Sequence, residues 1–156
     1  MSEGVEVAFV EAVQAAHPDY IESVGVLKPK WVSLVAKREG FSELAFSLRD
    51  EFGFIHPVSA GAIDYPKENR MRINYYLINP SSRFSLMLGV DLPRDDLTLP
   101  SMTRVWEAMS FHERETKEMF GINFEGHPNP VPLLLPPDWK GGYPLRKDFE
   151  GEGAEP

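Results

Sequence analysis

The 156-residue chain contains no cysteine. That absence removes disulfides, thiolate nucleophiles, Cys-type zinc sites and the usual thiolate ligation of iron-sulfur clusters together. Long apolar runs are missing as well. No stretch approaches the roughly 18 consecutive apolar residues of a membrane span, so direct insertion into a membrane is not expected. The start, MSEGVEVAFVEA, is acidic and lacks the basic region of a secretory signal. Positive charge is scarce: 16 Lys and Arg stand against 24 Asp and Glu, for a net charge of -8. Such a chain is expected to be soluble, and with no basic stripe it is not expected to bind nucleic acid or anionic lipid. The expected location is the cytoplasm.

Catalytic motifs are also lacking. Gly-x-Gly-x-x-Gly, the Walker phosphate loop and Gly-x-Ser-x-Gly do not occur, so nothing marks a nucleotide cradle or a nucleophile elbow. His112-Glu113 opens like a zinc-protease helix, but Thr116 stands where the second histidine would be needed. His112, Glu115 and His127 would form a metal site only if the fold brought them together, which their spacing does not fix. His17 and His56 each precede a proline and read as loop or strand-edge residues. With 24 acids present, a glycosidase-type carboxylate pair stays open on sequence grounds. No catalytic residue, cofactor or metal ligand of this chain's own is expected.

What the chain does contain reads as one α+β domain, with a mixed or antiparallel sheet of two hairpins flanked by helices. A length of 156 residues with 42% apolar content suffices for one core. Val5, Phe9, Val13 and Ala16 predict a first helix. Tyr20 to Leu27 and Trp31 to Ala36 predict a hairpin about Lys28-Pro29-Lys30. Phe41, Leu44, Ala45, Leu48 and Phe52 mark one face of a second helix, stopped by Gly53. Phe54 to Tyr65, interrupted by Pro57 and Gly61, predicts an edge or bulged strand. Met71 to Ile78 and Arg83 to Val90 predict a second hairpin turned by Asn79-Pro80-Ser81-Ser82. Leu92 to Pro100 reads as a linker and Ser101 to Ala108 as a short helix.

The most informative stretch is residues 111 to 149. Ser110 and Glu113 have capping-box spacing for a helix over about 110–121 that Gly121 would end. Glu113 with Lys117, and Arg114 with Glu118, stand at i,i+4, where each pair adds a few tenths of a kcal/mol. Glu115 falls between Phe111 and Met119 on the expected buried face. A carboxylate there either pairs within the chain or meets another subunit. Beyond Gly121, prolines at 128, 130, 132, 136, 137 and 144 forbid helix and interrupt any ladder. Val131, Leu133, Leu134, Leu135, Trp139, Tyr143 and Leu145 are nevertheless too apolar for a free tail. The chain therefore divides into an α+β domain over 1–121 and an extended Pro-rich arm over 122–156, lying either on its own sheet or on a partner.

These residues resemble the 30 kDa subunit family of respiratory complex I and its relatives in membrane-bound nickel-iron hydrogenases. Three blocks carry the resemblance: Glu113-Arg114-Glu115 with Met119-Phe120-Gly121; Gly126-His127-Pro128 and Leu135-Pro136 with Asp138-Trp139; and Pro144-Leu145-Arg146-Lys147-Asp148. The explicit match covers about a quarter of the chain; upstream only length and element order agree. Glu118 replaces the family's usual Asp, Pro130-Val131-Pro132 a basic pair and Tyr143 a common His. The short length, the lost basic pair and Tyr143 lean toward a group 4 membrane-bound hydrogenase or a ferredoxin-dependent sulfur-reducing complex, rather than respiratory NADH/quinone oxidoreductase.

The resemblance implies a non-catalytic scaffold in the peripheral arm, on the cytoplasmic side of the membrane, docking a large NiFe-hydrogenase-like (49 kDa-like) subunit and a small Fe-S subunit. Contact with ion-translocating membrane subunits would be indirect. Iron-sulfur clusters, and any nickel-iron centre, would belong to the partners. The implied interface residues are Glu113, Arg114, Glu115, Phe120, His127, Trp139, Tyr143, Arg146, Lys147 and Asp148, and Trp, Tyr and Arg are the types enriched at interface anchors. A standalone binding module or hydrolase with a self-folded tail is the opposing reading.

Overall fold

A computed structural model describes residues 3–151. Met1 and Ser2 of the acidic start, and residues 152–156 of the expected arm, lie outside the described residues. Among the described residues three α-helices, α1 (Glu3–Ala16), α2 (Phe41–Asp50) and α3 (Met109–Phe120), and one 3-10 turn (Pro66–Glu68) accompany seven strands. The strands are β1 (Ile21–Lys28), β2 (Trp31–Ala36), β3 (His56–Tyr65), β4 (Arg70–Asn79), β5 (Phe84–Pro93), β6 (Thr98–Pro100) and β7 (Asn123–Glu125). The five long strands form a mixed sheet in the order β1-β2-β5-β4-β3, in which only β2 and β5 run parallel. The parallel pair exists because α2 and the β3-β4 hairpin intervene between those two strands, returning the chain in the same direction.

Alternation along the strands decides which face is covered. Val32 and Leu34 of β2, Ile73, Tyr75 and Leu77 of β4, and Leu86, Leu88 and Val90 of β5 are buried and share one face. All three helices lie there. Phe9 of α1 meets Phe54 edge-to-face and Phe84 at a tilt, with centroids 5.2 and 5.3 Å apart, and Phe41 of α2 meets Tyr75 at 5.8 Å; aromatic pairs of this kind add about 0.5–1.5 kcal/mol each beyond burial. On the opposite face Arg70 and Arg72 of β4 grip Asp91 of β5 across the strands, at 2.8 and 2.6 Å. Burial alone would raise the Asp91 carboxyl, but the Arg72 and Arg70 guanidiniums outweigh it and hold it below its usual range.

Both hairpins and the edge position of β3 match the expectations, and β3 carries its irregularity between Pro57 and Ser59. Asn79 makes the second turn: its Oδ1 accepts the Ser81 and Ser82 N–H groups, at 2.9 and 3.1 Å. Gly53 follows α2 with φ 76°, the left-handed turn that a glycine adopts freely.

Four expectations need correction. Val5 and Ala16 face solvent, and the buried stripe of α1 is Glu6, Phe9 and Val13; the Glu6 carboxylate lies inside because Oε1 accepts the Lys30 N–H at 2.6 Å. The strand expected from Phe54 begins at His56, because Phe54 is a core residue whose carbonyl accepts the Trp106 ring N–H at 2.8 Å. The linker over Leu92 to Pro100 contains β6, which pairs parallel with β7 and sinks Leu99 into the core. Ser101 to Ala108 is a run of turns, not a helix. Ser101 Oγ accepts the Thr103 N–H at 3.2 Å, a side-chain competitor for helix formation, while Met102, Val105 and Trp106 fill the core.

Candidate functional site: the charged helix and its arm

The inner face of α3 is written by Met109, Glu113, Thr116 and Phe120, all buried. This is one helical stripe, shifted from the expected one. Glu115 and Phe111 instead face solvent, Phe111 with 61% exposure. The capping box does not form, because α3 starts at Met109 with Ala108 before it and no side-chain cap. Neither expected i,i+4 ion pair forms, since Glu113 and Glu118 turn to other partners.

Glu113 is 1% exposed and fully engaged. Its Oε1 accepts the Tyr75 hydroxyl at 3.0 Å and the Met102 N–H at 2.6 Å, and its Oε2 accepts Ser101 Oγ at 2.6 Å. One carboxylate thereby ties the sheet, the 101–106 turns and α3 together. Burial raises its carboxyl above the ordinary 4.5, against the opposing effect of those hydrogen bonds. Burial, then the charge of Glu113, raises the Tyr75 phenol well above 10. His127 continues the network outward: its Nε2–H donates to the Ser110 carbonyl at 3.0 Å, and Nδ1 accepts the Asn129 N–H at 3.0 Å.

The outer side of α3 holds the arm. In residues 130–137, Pro130, Pro132, Pro136 and Pro137 have no N–H to give. Three of the four N–H groups that remain, those of Leu133, Leu134 and Leu135, converge on the Glu118 carboxylate. Arg114 takes the matching carbonyls, Nε to Val131 at 2.8 Å and Nη2 to Pro132 at 3.2 Å. Gly121 ends the helix at φ 80°. A Cβ there would sit 2.6 Å from the Tyr143 ring and from Arg146 Nη2, so the glycine permits both the turn and the close return of the arm. Leu145 N–H and Arg146 Nε then donate to the Met119 and Phe120 carbonyls, at 3.0 and 2.7 Å, satisfying groups that a helix C-terminus leaves open. The Arg146 guanidinium also lies 4.3 Å over the Tyr143 ring.

The end of the arm is clasped to the sheet. Asp64 of β3, 2% exposed, accepts the Lys147 N–H at 3.0 Å and pairs with Arg94 at 3.1 Å, and Arg94 pairs in turn with Asp148 at 3.1 Å. The Arg94 hydrogen bond lowers the Asp148 carboxyl. Trp139 donates to the Gly142 carbonyl at 2.8 Å and lies 6.4 Å from Phe149.

The ten residues singled out from sequence thus fall into three places. Glu113 and Phe120 are internal, and the His127 imidazole is packed against Ser110. Arg114, Arg146, Lys147 and Asp148 fasten the arm, while Glu115, Trp139 and Tyr143 lie at the surface. Sequence reasoning missed Glu118, Asp64 and Arg94 as fasteners. Asp64 carried a readable signal, since it continues the inward phase of Ala60 and Ala62 along β3; for Arg94 there was none. His112, Glu115 and His127 are not brought together, and among the described residues no cluster of His, Cys, Asp or Glu is set to hold a metal. What the arrangement presents is apolar surface: Phe111, Val131, Leu134 and Leu145 are each more than half exposed. Between α3 and the arm lies an open cleft of about 320 Å³.

Residues 34–155 match the family model of the respiratory-chain NADH dehydrogenase 30 kDa subunit. The chain belongs to that family. Its relatives include a subunit of the F(420)H(2) dehydrogenase of Methanosarcina mazei, 32% identical over 91% of this chain and 90% of that protein. A subunit of the NADH-quinone oxidoreductase of Moorella thermoacetica is 33% identical over 94% of this chain and 98% of its own length. Among solved structures, a chain of the membrane-bound sulfane sulfur reductase, an archaeal respiratory membrane complex, superposes with a TM-score of 0.83 at 25% identity, covering 92% of this chain and 85% of that one. The trypsin-resistant fragment of Nqo5 superposes with a TM-score of 0.66 at 27% identity over 79% of this chain and 97% of its own. The α+β fold is shared with both. Among the described residues no helix is long and apolar enough to cross a membrane.

Proposed function

We propose that this chain is a non-catalytic scaffold subunit in the peripheral arm of a complex I-like, membrane-bound redox complex. It docks a large NiFe-hydrogenase-like (49 kDa-like) subunit and a small Fe-S subunit on the cytoplasmic side and reaches the membrane subunits only through them. The observation that carries this reading is an apolar surface held open: Val131, Leu134 and Leu145 are exposed on an arm whose backbone is hydrogen-bonded to α3, and Phe111 is exposed on α3 itself. Fastening apolar side chains outward is costly unless another surface covers them. Iron-sulfur clusters and any nickel-iron centre belong to the partners. The likeness to the sulfane sulfur reductase chain over 92% of the length favours a ferredoxin-dependent hydrogenase or sulfur-reducing complex coupled to ion translocation. The nearly full-length match to the NADH-quinone oxidoreductase relative supports a second reading, a subunit of a respiratory NADH/quinone oxidoreductase.

Phe111→Glu with Leu134→Glu tests the docking role. Both side chains are exposed, so the unfolding free energy should stay within about 0.5 kcal/mol per substitution. Co-purification with neighbouring subunits from the membrane should be lost. Retention of every neighbour by the double variant would refute the docking role, and the cysteine content of the large subunit recovered with the wild type separates the hydrogenase from the other readings.

A further inference from the structure

We infer that the edge strand β1 is where two copies of this chain meet, antiparallel about a two-fold axis at Gly25, joining two five-stranded sheets into one. The strand order β1-β2-β5-β4-β3 leaves two edges. β3 is guarded: Pro57 has no N–H to offer, the register shifts between Pro57 and Ser59, and Asp64 is clasped by the arm. β1 is not. It contains no proline, and its two register shifts, between Ile21 and Ser23 and between Val26 and Lys28, leave Ser23–Val26 regular at its centre. No described strand pairs with its outer side, and such an edge presents a row of unpaired N–H and C=O groups.

The order of residues along β1 selects a second copy as the occupant. In Glu22-Ser23-Val24-Gly25-Val26-Leu27-Lys28, reading outward from Gly25 gives valine on both sides and ends on an acid at one side and a base at the other. An antiparallel pair centred on Gly25 therefore sets each Glu22 opposite the Lys28 of the other copy, and each Val24 opposite Val26, cross-strand pairs of the kinds that stabilise a sheet. Two acids or two bases would repel there; one of each attracts twice. The faces agree as well: Val24 and Val26 lie opposite Leu34 and Val32 on the helix-covered face. On the other face Lys28 sits 5.0 Å over the Trp31 ring, and Glu22 is within electrostatic reach of Arg72. Gly25 suits the axis. A Cβ there would meet nothing within 4 Å, and its φ is not left-handed, so no turn or close contact inside the chain calls for a glycine. At the axis residue 25 faces itself, and having no side chain removes the like-with-like contact that an isologous interface imposes. Pairing would also cover Val26 and Leu27, 43% and 59% exposed. Because α3 packs against β3, the opposite edge, the docking surface stays free, and two assemblies could be held side by side.

The test uses the full-length chain in solution. Sedimentation equilibrium should show a monomer–dimer equilibrium with a dissociation constant of about 100 μM. Lys28→Glu and Glu22→Lys should each weaken it by about tenfold or more, since the symmetry makes every reversal act twice. Both substitutions in one chain should restore dimerisation to within about twofold, a recovery that separates a lost contact from a damaged fold. Phe111→Glu should leave the dimer unchanged. A chain that stays monomeric up to about 1 mM, a dimer indifferent to the single reversals, a double exchange that stays dissociated, or a dimer broken by Phe111→Glu would each overturn the inference. Co-purification with neighbouring subunits tests the docking role separately, so either can fail while the other stands.

Discussion

At the scale of single residues, Glu113 shows how a charge inside a core is tolerated. The carboxylate is buried, but every near neighbour is a donor: the Tyr75 hydroxyl, Ser101 Oγ and the Met102 N–H. Removing the acceptor orphans all three in a site closed to water, at about 1–3 kcal/mol for each buried group left unsatisfied. Glu113→Ala should therefore lower the unfolding free energy by about 3 kcal/mol or more, and Tyr75→Phe, which removes one donor together with its need, by about 1 kcal/mol. Burial raises the native carboxyl above 4.5, so the folded chain binds that proton more tightly than the unfolded chain. The stability this contributes is complete below 4.5 and is lost as pH rises through the raised native value. Chemical denaturation should consequently show a larger gap between wild type and Glu113→Ala at about pH 5 than at about pH 8. An equal gap at both would mean that Glu113 titrates alike in the two states.

At the scale of elements, α3 and the arm form one unit joined by carboxylate, guanidinium and backbone groups. Glu118 is its main fastener, and Glu118→Ala should free the Leu133, Leu134 and Leu135 amides. Hydrogen exchange at those three positions should accelerate by about tenfold or more, while the buried amides of β4 and β5 keep their protection. Unchanged exchange at 133–135 would show that the proline walls alone hold the arm. How much of this was legible depended on which forces were local. The hairpins, α2 and the Gly121 stop follow from period, turn chemistry and a left-handed glycine, all written within a dozen residues. The β6–β7 pair was hidden because its strands are three residues each and lie far apart in the chain. The face of α3 was misread because its most apolar surface residue, Phe111, serves the outside, while a charged one, Glu113, serves the inside. Hydrophobic period assigns such a helix backward whenever a buried polar network and an exposed apolar docking surface occur together.

At the scale of the whole molecule, the division into a domain and an arm becomes a question about where the core ends. The buried apolar cluster runs from Phe9 to Phe124, so every core side chain precedes the arm beyond Gly126. What the arm gives back is peripheral: capping of the Met119 and Phe120 carbonyls, the Lys147 and Asp148 contacts to Asp64 and Arg94, and cover for Glu118. Those are several hydrogen bonds at about 0.5–1.5 kcal/mol each, against a typical domain stability of about 5–15 kcal/mol. A chain cut after Gly126 should accordingly still unfold in one cooperative transition, with a lower midpoint and a nearly unchanged denaturant slope, because the slope follows the surface exposed and the arm buries little of it. The same truncation should abolish recovery with neighbouring subunits, because Val131, Leu134 and Leu145 go with the arm. Loss of cooperative unfolding on truncation would instead place the arm within the domain, and its apolar surface would then be part of how this chain folds as well as how it docks.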